Sequence, residues 1–214
     1  MKLSRIKNKI KEYTPNTTRI EAFSDGVFAI VVTLLVLELR VPHLPENFTS
    51  QIAINELLYL APKFVSFALS FVVIAIFWVN HHQLFHSLEK SDRGLLWYNN
   101  LLLFWLSFIP FPTAFLGEHP LDTIPVMLYG CVLLAAALSF NLIIYHAMRA
   151  ELFQPNISKV VLMRAKKRTY LGPFIYFVSI IAAPFSVYIS LVIFVLVPVM
   201  YFIPQVIVKD DKEV

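Results

Sequence analysis

Six apolar runs, each close to the length needed to cross a hydrocarbon core, fill most of this 214-residue chain and leave few alternatives for its fold. A helix rises about 1.5 Å per residue, so about 20 apolar residues span a core about 30 Å thick. The runs lie near residues 19–40, 57–86, 95–116, 123–147, 170–184 and 186–208. The expected fold class is therefore an all-α integral membrane protein, one domain over residues 1–214, with six transmembrane helices and no room for a soluble domain. Composition agrees: 58% of residues are hydrophobic and 15% charged, and mean hydropathy is +0.69, outside the usual range of a soluble domain. The single Cys131 sits inside an apolar run, which excludes a disulfide framework and a cysteine metal site. The first run contains Asp25 and Glu38 and is followed by no small-residue cleavage site, so it reads as a retained helix and not a signal peptide.

Orientation follows from the basic residues, which accumulate in short cytoplasmic loops. With the amino terminus inside, residues 1–19 hold six Lys or Arg, Lys90 and Arg93 make two, residues 149–168 hold six, and Lys209 and Lys212 make two. Only Arg40 and Lys63 fall outside. Both termini are thus expected in the cytoplasm, where the basic residues meet anionic lipid headgroups; the net charge of +4 calls for no nucleic-acid partner.

The stretch RIEAFSDGVFAIVVTLLVLELRVP, Arg19 to Pro42, is the most informative. At about 100° per residue, Phe23, Gly26, Ile30, Leu34, Leu37 and Val41 fall on one stripe with Thr33 at its border, while Asp25 projects to nearly the opposite side. An ionisable group in the hydrocarbon region must face protein or water and find partners. At the same depth the sequence places Trp78, Asn80, His81 and His82 near the end of the second run and Asn99 and Asn100 near the start of the third. Such a cluster is either helix-to-helix glue or part of a working site. Arg19, about 240° round the helix from Asp25, is expected to reach another helix or another subunit. His82 and His86 share a helix face, yet no HExxH and no adjacent carboxylate accompany them, so no metal site is expected. Nucleophile motifs, phosphate loops and paired catalytic carboxylates are missing, which points away from an enzyme. With five glycines and no GYG triplet, a carbonyl filter of the usual potassium-channel type is excluded.

The R-x-x-x-F-S-D pattern at Arg19, Phe23, Ser24 and Asp25, continuing as GVFAIVVTLLVLEL, resembles the transmembrane protein 175 potassium channel family. So do FWVNHH at Phe77–His82 and the N-x-x-L-x-x-x-S-x-x-P-F-P pattern from Asn100 to Pro112. The resemblance covers the first three runs closely and the remainder through span count. It implies a potassium-selective channel formed as a symmetric homotetramer, with the first helix of each subunit lining a central pore. Carried onto this sequence, Ile30 is the main hydrophobic constriction, Leu34 and Leu37 form further rings, and Thr33 is a polar position that contributes to selectivity. Arg19, Phe23, Ser24 and Asp25 belong to a network tying the pore helix to the next two spans through Trp78, Asn80, His81 or His82, and Asn100. A single set of six spans resembles the prokaryotic members, implying a multi-pass protein of a prokaryotic plasma membrane.

Physical chemistry is consistent with a pore on that stripe. One helix cannot enclose a path, so symmetric copies around an axis are required. Bulky aliphatic rings close a pore by dewetting and offer an ion nothing in place of its water, so selectivity rests on ring width and forced dehydration. The permeant ligands are potassium and other monovalent cations, and no cofactor is expected. Glu38 lies toward the outer mouth, where four copies would concentrate cations; an interfacial, snorkelling carboxylate is the equal alternative. The competing functions are a proton-coupled transporter relaying through Asp25 and a histidine, and an intramembrane metal-dependent hydrolase.

Overall fold

Proline and polar turns cut the apolar sequence into helices at the places where the backbone cannot continue. The computed structural model describes residues 17–201, all helix and turn apart from one isolated bridge between Leu88 and Phe153. The basic lead-in 1–16, the end of the sixth expected span and the KDDKEV tail lie outside the described residues.

The helices are α1 (Thr17–Leu34), α2 (Ser50–Tyr59), α3 (Ala61–His86), α4 (Arg93–Phe108), α5 (Pro110–Glu118), α6 (Thr123–Arg149), α7 (Lys159–Ala182) and α8 (Val187–Tyr201). Among the described residues, four segments are long and apolar enough to cross a membrane: Thr17–Glu38, Ala61–His86, Arg93–Glu118 and Thr123–Arg149. Thr169–Ala182 and Val187–Tyr201 are shorter apolar helices.

Several boundaries differ from the sequence expectation. The first span is α-helical only to Leu34 and tightens into a 3-10 turn, Leu35–Glu38, before Pro42 and Pro45 stop it. The short polar connection expected over residues 46–56 is in large part the start of α2, whose N-terminus Thr49 caps, its Oγ1 accepting from the Ile52 amide. The third span is broken at Ile109: Pro110 and Pro112 have no N–H to give, so α4 ends and α5 begins. There the Ile109 carbonyl accepts both the Thr113 hydroxyl at 2.8 Å and the Thr113 amide at 3.1 Å, which anchors the start of α5. α7 starts at Lys159, ahead of the expected 170, and turns into α8 over residues 183–186.

α6 is the central pillar, packed on α4, α5, α7 and α8. Val126, Tyr129, Leu133, Ala136 and Ile143 along it are fully enclosed. Gly130 lets α7 and α8 pack close against α6, since a Cβ there would lie 2.9 Å from Ile180 Cγ1 and 3.2 Å from Phe194 Cζ. Ser70 of α3 bonds Thr113 of α5 at 2.7 Å and Tyr129 of α6 at 3.0 Å, so three helices share one buried hydroxyl cluster. α1 stands at the side of this bundle, touching α3 and α4.

Candidate functional site

α1 has two apolar faces with opposite fates. Ile20, Ser24, Phe28, Val31 and Leu35 recur at helical spacing and are buried against α3 and α4. The stripe singled out in the sequence is exposed: Phe23 61%, Ile30 59%, Leu34 42%, Leu37 67% and Val41 86%. Gly26 and Thr33 are exposed with it. Thr33 turns its hydroxyl onto the helix backbone, donating to the Ile30 carbonyl at 2.8 Å or to the Ala29 carbonyl at 3.0 Å. In the 3-10 turn side chains three residues apart eclipse, which keeps Leu37 directly beyond Leu34 instead of rotating it 60° away.

The buried face is pinned by a hydrogen-bonded chain. Ser24, His81 and Asn99 are at most 1% exposed. The Ser24 hydroxyl donates to the Ile20 carbonyl at 2.8 Å and accepts from Asn99 Nδ2 at 3.0 Å. Asn99 Oδ1 lies 2.8 Å from His81 Nε2. Because Oδ1 can only accept, this chain of donors fixes the proton on Nε2 of His81. The His81 ring is stacked on Phe85 at 4.2 Å and meets Phe28 edge-on at 5.5 Å. Three helices thus share one satisfied polar path inside an apolar packing, the condition under which a buried polar group is tolerated.

A second strip runs beside it on the surface. Asp25 Oδ1 accepts from Trp78 Nε1 at 2.9 Å; Trp78 stacks on His82 at 6.0 Å, and His82 on His86 at 6.4 Å. The structure therefore separates the two histidines that the sequence left as alternatives: His81 joins Ser24 and Asn99, and His82 joins Trp78. Asn100, expected in the network, is exposed, and its place is taken by Asn99. The signal was present, since Leu95, Asn99, Leu102 and Leu106 repeat at helical spacing and all are buried, while residue 100 is one step off that stripe. Asn80 turns its Nδ2 back to the Ile76 carbonyl of its own helix at 2.7 Å and does not reach α1. Asp25 is exposed and not enclosed; Arg19 is exposed and has no ion-pair partner among the described residues.

Glu38 is half-buried at the far end of α1, lining a crevice with Arg40, Lys63 and Glu118. Lys63 Nζ donates to Glu118 Oε1 at 2.9 Å. Among the described residues no group of three or more His, Cys, Asp or Glu lies close enough to hold a metal, and none of them gives His82 and His86 a third ligand.

The sequence from residue 19 to 110 matches the family model described as Endosomal/lysosomal potassium channel TMEM175. A protein of Chamaesiphon minutus named potassium channel is 39% identical over 178 residues, 81% of this chain and 87% of that protein. This chain belongs to the TMEM175 family. Another TMEM175 relative, from a Chryseobacterium species and also named potassium channel, is 33% identical over 87% of this chain and 93% of its own length. The crystal structure of a lysosomal potassium-selective channel TMEM175 homologue from Chamaesiphon minutus superposes with a TM-score of 0.76 at 34% identity, covering 89% of this chain and 98% of that one. The human relative, named endosomal/lysosomal proton channel, is 30% identical over 71% of this chain, which corresponds to 33% of its length.

Proposed function

We propose that this protein is a potassium-selective channel whose pore runs between symmetric copies of α1. The observation that carries the reading is the pair of faces on that helix: one packed and hydrogen-bonded into the protomer, the other apolar and left open from Phe23 to Val41. Bacterial family members named potassium channel and aligned over most of this chain support the same activity. Four copies would place Ile30 at the narrowest ring, with Leu34 and Leu37 as further rings and Thr33 as the polar position beside them. Potassium is favoured over sodium because an aliphatic ring strips water without replacing it, and sodium holds its water more tightly. The chain of Ser24, Asn99 and His81 sets the rotation of α1 and hence ring width. Arg19, open on this protomer, reaches a neighbouring copy.

Six crossings with both termini in the cytoplasm require the two shorter apolar helices to cross as well. The count of 16 basic residues on one side supports that arrangement, as derived from the sequence. The location is then a prokaryotic plasma membrane.

Flux from liposomes loaded with potassium tests the proposal. Wild type passes potassium over sodium, and Ile30→Asn, which gives each ring a polar substitute for lost water, conducts both. Absence of conduction under any gradient would end the channel reading. Proton flux in the same liposomes is the second measurement, because the animal relatives are named proton channels and Asp25 here is an accessible carboxylate.

A further inference from the structure

The first span leaves α-helical geometry at its outer end without a residue that obliges it to. Leu35, Leu37 and Glu38 belong to the good α-helix formers, and Val36 is the one β-branched residue of the four. Pro42 crowds only the carbonyl four residues back, that of Glu38, so the amides of residues 35–38 are free to bond in either pattern. Yet Leu35–Glu38 is a 3-10 turn, closed by the Leu39 amide on the Val36 carbonyl at 3.0 Å. Hydrogen bonds in a 3-10 turn have poorer geometry than those of an α-helix. The turn is held by its surroundings: Leu35 is fully buried, and the segment packs on α3 and α5. Just ahead of it the Thr33 hydroxyl reaches the carbonyls three and four residues back, a contact that bends helices.

The two patterns present different side chains to the exposed stripe. Each residue advances about 120° in a 3-10 turn and about 100° in an α-helix. Counted from Leu34, the 3-10 turn keeps Leu37 in line with the stripe and carries Glu38 about 120° away from it. There Glu38 lines the crevice with Arg40, Lys63 and Glu118. In α form Leu37 stands about 60° to one side and Glu38 only about 40° to the other, so the carboxylate becomes the nearer of the two. The rise falls from about 2.0 to about 1.5 Å per residue, which shortens the four residues by about 2 Å. The connection that follows can take this up, because residues 39–49 hold no helix or strand and Val41 is exposed. Nor does the crevice retain Glu38. Lys63 is taken by Glu118 at 2.9 Å, and the Glu38 carboxylate has no hydrogen bond or ion pair among the described residues.

We propose that Leu35–Glu38 exchanges between 3-10 and α forms and thereby gates the outer end of the pore. The proposal rests on the pore between copies of α1 argued above. In the 3-10 form the outer ring is Leu37, an aliphatic constriction that closes by dewetting. In the α form Glu38 takes its place, and a ring of carboxylates wets the mouth and offers oxygen ligands to a cation shedding water. One residue is thus a crevice carboxylate in the closed form and a cation-binding group in the open one.

The test is disulfide cross-linking between copies of the full protein in liposomes, in a Cys131→Ser background, with Ile30→Cys as the reference for the pore axis. Leu37→Cys and Glu38→Cys should both cross-link, since each approaches the axis in one of the forms. Val36→Cys, which faces away in both, should not. Val36→Ala replaces the β-branched residue with the best α-helix former and should shift cross-linking several-fold from position 37 toward 38. With Leu37 and Glu38 in place, Val36→Ala should raise potassium conductance. Glu38→Leu leaves an aliphatic ring in either form and should lower it several-fold; this variant and the ratio of cross-linking at 37 and 38 decide if Val36→Ala fails to assemble. Cross-linking at 30 and 37 but never at 38 would overturn the exchange and leave the pore reading standing. Unchanged conductance in Glu38→Leu would overturn the gate, and loss of cross-linking at 30 as well would overturn both readings.

Discussion

His81 Nε2 and Asn99 Oδ1, from different helices, lie 2.8 Å apart, and through Asn99 Nδ2 this bond reaches Ser24 on α1. Asn99 is the only one of the three with two side-chain partners in the chain. Asn99→Ala orphans the His81 N–H and takes the donor from Ser24, and each buried group left unpaired costs about 1–3 kcal/mol. Ser24→Ala costs less, because the Ile20 carbonyl keeps its place in the helix ladder and one donor alone is orphaned. Asn100→Ala, at an exposed site, should stay within about 0.5 kcal/mol. Thermal unfolding in detergent should rank Tm as wild type and Asn100→Ala above Ser24→Ala above Asn99→Ala. A larger loss at 100 than at 99 would contradict the network.

The two faces of α1 predict opposite thiol chemistry. In a Cys131→Ser background, which removes the chain's one cysteine, Ile30→Cys and Leu37→Cys should react with a water-soluble, charged methanethiosulfonate added to the open channel. Val31→Cys and Leu35→Cys should not, since those positions are 2% and 0% exposed within the protomer itself. An Ile30→Cys that reacts only with membrane-soluble reagents would place the stripe against lipid and not against a pore.

Much of this architecture was legible because helical periodicity is a property of single segments. The stripe through Ile30 and Leu37 could be drawn from spacing alone, and so could the end of the first span before Pro42 and Pro45. Tertiary pairing was less legible. The sequence left His81 and His82 as adjacent equals, and the resemblance put Asn100 in the network; adjacent residues on a helix point about 100° apart, and the packing of α3 and α4 against α1 selects His81 and Asn99. α2 was missed for a similar reason: its polar residues read as a connection, while its capping Thr49 and the unbroken run to Tyr59 form a short helix with no buried residue. The 3-10 turn at Leu35–Glu38 carries no residue that distinguishes it from α-helix and arises where the chain must meet α3 and α5.

Gly94 offers a test with a predictable sign reversal. Asp92 caps α4, its Oδ1 accepting from the Leu95 amide at 2.7 Å, and holds His146 Nε2 at 2.8 Å. The imidazole lies over Gly94 so closely that an added Cβ would be 2.5 Å from Cε1 and 2.6 Å from Nε2. Gly→Ala inside a helix ordinarily stabilises by about 1 kcal/mol. Here Gly94→Ala must push the ring off Asp92, and overpacking of this kind costs about 1–3 kcal/mol. Gly94→Ala alone should therefore lower Tm. Gly94→Ala combined with His146→Ala should be more stable than His146→Ala alone, because the propensity gain is then unopposed. Additive effects in that double-mutant cycle would mean the ring does not press on residue 94.

The ion pair of Lys63 and Glu118 should matter more to conduction than to stability. Its groups are 24% and 55% exposed, and pairs of that kind contribute about 0–1 kcal/mol. Glu118→Gln should thus shift Tm little. The same substitution frees the Lys63 ammonium in the crevice that Glu38 and Arg40 share, making the approach to the proposed outer mouth more positive. Potassium conductance should then fall at low ionic strength and recover toward wild type in about 1 M salt, where the screening length is about 3 Å. Lys63→Gln removes the positive charge instead and should leave low-salt conductance at or above wild type. If both variants reduce conductance equally and salt does not restore it, the pair acts as a mechanical brace between α3 and α5 and not through its charge.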